Sequence, residues 1–308
     1  MKTRKKVLVK GVVQGIGFRP FIYRLAFANR ISGFVKNTSA GVVIECEGSE
    51  KNVDNFIKVI PRFKPKGAVI SSFEVSLLKP QNDKEFLILK SGKDKNVAAR
   101  IPADLSICTD CRREIFDPSN RRYLYPFTNC TNCGPRFTIV KEMPYDRPCT
   151  TMKKFKMCSN CRAEYENPTD RRFHAQPNAC HICGPQIFAF WKGKKIKGTN
   201  AVRKAVEILM EGGICSIESL GGFQLACDAS NSESVLKLRK AKERPSKPFA
   251  VMVWNVEEAR NICFVSEEEK ETLLSPAAPI VMLKKRRKSF FANSGKEKRP
   301  QVFCWSDL

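Results

Sequence analysis

Cys108-Thr-Asp-Cys111 is followed, after eighteen residues, by Cys130-Thr-Asn-Cys133, and fifty residues on the pattern returns as Cys158-Ser-Asn-Cys161 and Cys180-His-Ile-Cys183. Other positions keep the same period. Arg112 recurs as Arg162, Pro118 as Pro168, Arg121-Arg122 as Arg171-Arg172, and Gly134-Pro135 as Gly184-Pro185. A match at one period over cysteine and non-cysteine positions alike marks a duplicated unit. It divides the 308 residues into a domain at 1–91, the duplicated module at 100–190, a further domain at 199–285 and a tail at 286–308.

Two cysteines separated by two residues place both sulfurs on one metal at about 2.3 Å, and two such pairs complete a tetrahedron. Zinc is expected, because it is soft enough for thiolate, redox-inert and indifferent to geometry. Four matched pairs favour it over disulfides, a redox pair or an iron–sulfur cluster. With all ligands cysteine no position stays open for water, so two structural Zn2+ ions are implied. Duplication pairs Cys108/Cys111 with Cys130/Cys133 and Cys158/Cys161 with Cys180/Cys183, and an interleaved arrangement stays open. His174 and His181, the two histidines, read as surface or supporting residues beside sites already supplied with four sulfurs. The module is short of aliphatic side chains, so metal supplies much of its folding energy. Cys46, Cys149, Cys215, Cys227, Cys263 and Cys304 read as small core residues.

Fourteen cysteines with no export signal imply reduced thiols and a cytoplasmic setting. No segment approaches the roughly 20 apolar residues of a membrane span, and no membrane partner is expected. The formal charge is +24, which two four-thiolate zinc sites lower to +20. Most of this reads as solvated surface suited to phosphorylated substrates. The alternative is a zinc-finger protein binding RNA or DNA, although neither repeat has paired histidines or a recognition helix.

Residues 6–13 alternate and are β-branched, which predicts a strand, and residues 21–31 carry apolar side chains at helical spacing. Between them lies Gln14-Gly15-Ile16-Gly17-Phe18-Arg19-Pro20. A glycine-rich turn opening a helix aims several backbone N–H groups at one spot, at the positive helix end, and forms an anion cradle. Arg19 adds a fork for two phosphate oxygens. Pro20 stands where a third dinucleotide-fingerprint glycine would be, which argues against that fold. Strands at 33–37 and 42–48, a helix at 50–60 and strands at 72–78 and 86–89 complete a βαββαβ, ferredoxin-like order.

Val13-Gln14-Gly15-Ile16-Gly17-Phe18-Arg19-Pro20 with Gly33-Phe34-Val35-Lys36-Asn37 resembles acylphosphatase. The resemblance implies that Arg19 and the loop of Gln14, Gly15, Ile16, Gly17 and Phe18 bind the phosphate. It also implies that Asn37 positions the attacking water.

Residues 199–285 alternate helix (202–210, 235–239, 267–274) and strand (214–217, a buried-type 249–254, 280–283), an α/β pattern. Polar stretches at 219–229 and 240–249 interrupt it; the second is a basic loop pinned by Pro245 and Pro248. This pair resembles the YrdC-like nucleotide-binding domain of the HypF carbamoyltransferases of [NiFe]-hydrogenase maturation, and with the two preceding parts the order resembles that family from residue 4 to about 285. The resemblance implies an α+β multidomain protein: acylphosphatase domain, two four-cysteine zinc fingers and an incomplete YrdC-like domain. It implies hydrolysis of carbamoyl phosphate, ATP-dependent formation of carbamoyl-adenylate with Mg2+, and transfer to a cysteine of a HypE-like acceptor. Lys242, Arg244, Ser246 and Lys247 would hold the nucleotide. Glu218-Ser219 departs from the usual Lys-Gly, and Gln224 from a frequent His. Residues 289–308 resemble nothing in the family, so a truncated or frameshifted product lacking the transfer domain is expected.

Overall fold

The computed structural model describes residues 2–65, 67–92 and 100–286, and the backbone of 301–304; most of the tail from 286 onward lies outside the described residues. The chain forms two compact units, Met1–Pro185 and Gln186–Leu308.

Alternation in β1 (Lys2–Val12) turns Val7 and Val9 inward, and they oppose Ile44 and Val42 of β3 (Gly41–Ser49). Between these strands in sequence lie α1 (Phe18–Ala28) and β2 (Ser32–Thr38). Then follow α2 (Glu50–Phe63), β4 (Val69–Leu78) and β5 (Phe86–Ile88). The sheet order is β4-β1-β3-β2-β5, antiparallel except for the β2–β5 pair. Residues 86–89 thus add a fifth strand beside the ferredoxin-like four. The Ser49 hydroxyl caps α2 by accepting from the Asn52 N–H at 3.3 Å, which satisfies one orphan donor of the first turn. Val53, Phe56 and Ile60 recur at helical spacing and pack with Ile22, Ala26, Val35 and Ile44 into one core.

At the edge of that core Arg4 is 2% exposed and donates to Glu45, Glu47 and Asp83 at 2.8, 3.0 and 2.6 Å. Burial would raise the Glu47 carboxyl. The Gln81 and Asn82 N–H groups and Arg4 instead hold it below the usual range.

The cysteine module contributes α3 (Thr109–Phe116) and α4 (Ser159–Glu166), which begin directly after Cys108 and Cys158, fifty residues apart. Between them the chain runs through short 3-10 turns at Phe137–Ile139, Arg147–Cys149 and Thr151–Lys154. A small cluster of Tyr125, Ile139, Met152 and Ala179 is its apolar interior.

The second unit opens with the hairpin β6 (Phe188–Trp191) and β7 (Lys194–Lys197), then α5 (Thr199–Met210) and a second hairpin, β8 (Cys215–Ser219) and β9 (Gly222–Ala226). The β9 strand falls in the stretch expected to be a polar interruption. Next come α6 (Ser232–Ala241), β10 (Ala250–Val253), α7 (Val256–Ile262) and β11 (Cys263–Phe264). The unit ends with α8 (Glu267–Leu273), β12 (Val281–Met282), β13 (Lys284–Lys285) and β14 (Gln301–Cys304). Its core gathers Val256, Ala259, Ile262, Cys263, Leu273 and Leu283. β10 lies between exposed and half-buried, with Met252 64% exposed, instead of inside a buried sheet. No helix of the described residues is long and apolar enough to cross a membrane.

Phe56→Ala removes a fully buried ring and is expected to cost about 3–5 kcal/mol, whereas Phe63→Ala, at a ring 60% exposed, should cost under about 0.5 kcal/mol. Denaturant unfolding followed through hydrogen exchange of the β1–β3 amides measures both.

Candidate functional site

The turn after β1 is held in shape by Gly15 (φ +73°) and Gly17 (φ +75°), both in the left-handed region that side chains avoid. Gly17 caps α1, so the N-terminal amides of that helix face the turn. Gln14 Nε2 donates to the carbonyls of Thr38 and Gly41 at 2.7 and 3.0 Å and ties the turn to the β2–β3 connection. That tie brings Asn37, near the end of β2, beside Arg19 in the first turn of α1. Gln14, Gly15, Gly17, Phe18, Arg19 and Asn37 line one cleft. Ile16 and Phe18 are 4% and 2% exposed and their side chains pack into the core, which leaves only their backbone N–H groups to face the turn.

The other wall of this cleft belongs to the cysteine module: Thr131, Arg136, Tyr145, His174, Gln176 and Pro177. Arg19 Nη2 donates to Asp146 Oδ1 at 2.6 Å, and Ser91 Oγ donates to the other oxygen of Asp146. The Tyr145 N–H donates to Gln14 Oε1 at 3.0 Å, and Asn37 Nδ2 donates to the Tyr145 carbonyl at 3.4 Å. Asn37 Oδ1 is buried and accepts no hydrogen bond among the described residues. Burial pushes the Tyr145 hydroxyl up to about 12. His174, expected at the surface or beside a metal, is half-buried here, and burial with the nearby Arg19 charge pushes its imidazole down to about 3. Nothing in the sequence pointed to Tyr145 or Asp146, or placed His174 at this cleft, since each stands in irregular backbone without periodicity.

The eight cysteines fall into two groups, Cys108, Cys111, Cys130, Cys133 and Cys158, Cys161, Cys180, Cys183, with sulfurs within 4.8 Å of one another in each. This is the arrangement that duplication suggested. Four sulfurs 2.3 Å from a tetrahedral zinc are separated by about 3.8 Å. Cys108–Cys130 and Cys130–Cys133 measure 3.7 and 3.8 Å, and Cys158–Cys180 and Cys180–Cys183 measure 3.8 and 3.9 Å. Both groups fit zinc.

Cationic donors also face the sulfurs, and they come from the opposite copy. Arg171 Nη1 lies 3.2 Å from Cys111 Sγ, and Arg121 Nη2 lies 3.2 Å from Cys161 Sγ. Arg171 and Arg172 pair with Glu114 on α3, and Arg121 and Arg122 pair with Glu164 on α4. Burial would push the Glu164 carboxyl up; Arg122 and Arg121 outweigh it and hold it at about 2. His181 is exposed, with Nε2 2.8 Å from the Tyr123 carbonyl and its ring on Tyr125.

In the second unit Lys242, Arg244, Ser246 and Lys247 share the loop after α6, as expected. Arg239, on α6, organises it by donating to the carbonyls of Arg244 and Lys247 at 3.1 and 3.0 Å. Arg244 donates to the Pro248 carbonyl at 2.9 Å, and both guanidinium groups lie over the Phe249 ring. Lys242, Ser246 and Lys247 are exposed.

Residues 5–88 match the family model described as Acylphosphatase, residues 107–140 and 157–189 the HypF finger, and residues 207–302 Telomere recombination. The carbamoyltransferase HypF of Synechocystis sp. is 47% identical over 299 residues, covering 96% of this chain and 39% of that protein. The probable carbamoyltransferase HypF of Methanocaldococcus jannaschii is 47% identical over 289 residues, covering 92% and 38%. The crystal structure of full-length HypF in the phosphate- and nucleotide-bound form superposes with a TM-score of 0.92 at 41% identity, over 99% of this chain and 40% of that one. The chain spans about two fifths of the length of these relatives.

Removing Glu164 takes the carboxylate partner from two arginines, one of them 2% exposed, so Glu164→Ala is expected to lower stability by about 3 kcal/mol. Glu166→Ala breaks only a solvated pair with Arg162 and should change it by less than about 0.5 kcal/mol. Denaturation midpoints of the two variants test the difference.

Proposed function

This chain belongs to the HypF family, and from that premise we propose that its first unit hydrolyses acyl phosphates, carbamoyl phosphate in particular. The loop amides of Gln14 to Phe18 and the Arg19 guanidinium hold the phosphate, and Asn37 holds the attacking water. The observation that carries this is the single cleft in which Arg19, Asn37 and the glycine turn converge. Asn37 Oδ1, buried without a partner among the described residues, is an acceptor for a water proton. Water forms a new bond to phosphorus while the bond from phosphorus to the acyl oxygen breaks, leaving inorganic phosphate and carbamate. Such a reaction asks for position and charge neutralisation more than for a protein nucleophile. Asp146 shares Arg19 and sets the direction of its fork.

Cys108, Cys111, Cys130 and Cys133 hold one structural Zn2+, and Cys158, Cys161, Cys180 and Cys183 the other. Reduced thiols of this kind suit the cytoplasm. In the second unit Lys242, Arg244, Ser246 and Lys247 hold ATP, with Mg2+, while a carbamate oxygen bonds the α-phosphorus and pyrophosphate leaves, giving carbamoyl-adenylate. The carbamoyl group then passes to a HypE-like acceptor through a transfer domain such as the longer relatives have room for.

Arg19→Ala is expected to lower phosphate release from carbamoyl phosphate by roughly 10²–10³-fold, the usual loss for one preorganised donor at a developing charge. Unchanged release in that variant would remove the site. Elemental analysis should find two zinc ions per chain, and a chelator strong enough to take them should melt the module, because the metal contributes its folding energy.

A further inference from the structure

The acyl-phosphate cleft has a wall that the sequence motif does not describe, and His174 is its one imidazole. The two copies of the cysteine module say what His174 is not needed for. Fifty residues earlier, at the matching position, stands Leu124. Leu124 has φ +55° and His174 has φ +54°. The Leu124 N–H donates to the Ile115 carbonyl at 2.8 Å, and the His174 N–H donates to the Tyr165 carbonyl at 2.9 Å. The same backbone is therefore built around leucine in one copy and histidine in the other. Holding the finger together does not require an imidazole.

What differs is the surroundings of the side chain. Leu124 is 40% exposed, whereas His174 lines the cleft with Arg19 and Asn37. Its ring packs on Tyr165 and Phe173 with centroids 4.9 and 4.7 Å apart, which fixes its plane. Among the described residues its ring nitrogens make no hydrogen bond, while Gln176 Nε2 takes the backbone carbonyl of His174 at 2.7 Å. Burial beside Arg19 keeps the ring neutral, so it offers hydrogen bonding without a second positive charge to compete for the phosphate.

We propose that His174 is a specificity-determining residue of the acyl-phosphate site, with a ring nitrogen hydrogen-bonding the carbamoyl end of the substrate while the glycine turn and Arg19 hold the phosphate. The proposal rests on the acyl-phosphate function given above. A carbamoyl group carries an amide –NH2 where an acetyl group carries a methyl. A polar group placed against that end favours the first over the second, because the methyl leaves the imidazole without a partner.

The test uses carbamoyl phosphate, acetyl phosphate and inorganic phosphate with the full chain. His174→Leu copies the residue that the first repeat already accommodates, and unchanged zinc content and circular dichroism would confirm its fold. It is expected to lower kcat/KM for carbamoyl phosphate by about tenfold or more, the loss of one buried hydrogen bond. Acetyl phosphate turnover and inhibition by inorganic phosphate should stay within about twofold. His174→Gln, which keeps a donor and an acceptor, should recover part of the preference even if the leucine variant folds poorly. An unchanged ratio between the two substrates overturns the proposal. So does an equal loss on both with weakened phosphate inhibition, which would make His174 a prop of the cradle. If Arg19→Ala leaves hydrolysis unchanged, the acyl-phosphate function itself fails and takes the role of His174 with it.

Discussion

A guanidinium taken out of water must find an acceptor for each of its five N–H groups, because a buried unpaired donor costs about 1–3 kcal/mol and a charged one more. Arg136, 1% exposed, meets that demand with main-chain carbonyls. Nε donates to Gly15, Nη1 to Cys133 and Pro135 at 3.1 and 2.9 Å, and Nη2 to Cys130 and Thr131 at 3.1 and 2.9 Å. One side chain thereby fixes the glycine turn after β1 to the first cysteine knuckle. The Asp146–Arg19 ion pair and the Tyr145–Gln14 hydrogen bond depend on the same docking. The module acts on the cleft by standing against it.

Within the module the same economy recurs in exchanged form. Arg122 and Arg172, 2% and 3% exposed, reach across to the glutamate on the other copy's helix and to a carbonyl beside that copy's second cysteine pair, Ala179 and Asn129. Each knuckle is completed by the opposite repeat. A four-cysteine site built this way has guanidinium groups from the sibling repeat beside its sulfurs, which would offset part of a four-thiolate charge.

Much of this was legible in the residues. Paired cysteines at a fixed period announce a tetrahedral site, because two sulfurs three residues apart can share an ion whatever surrounds them. Gly15 and Gly17 announce a tight turn before α1, because few other residues tolerate its left-handed backbone. The βαββαβ order followed from alternation in β1 and spacing in α2. What stayed hidden were contacts made by irregular backbone. Tyr145, Asp146 and His174 sit in irregular segments whose direction is set by the module as a whole, and no local pattern shows which side chain will face a distant loop. The β9 strand was missed for a related reason: five residues beginning with glycine give too little alternation to set a strand apart from a polar loop. The basic loop after α6 hides Arg239 in the same way, since an arginine on a helix reads as solvated until its carbonyl partners are known.

Leu124 and His174 adopt the same left-handed turn with different side chains, and that pair illustrates what tandem copying makes available to a lineage. While one copy preserves the scaffold, the same place in its sibling can drift, and a chemical group can arise there without any new fold having to be invented. An asymmetric cleft can thus grow on a symmetric frame.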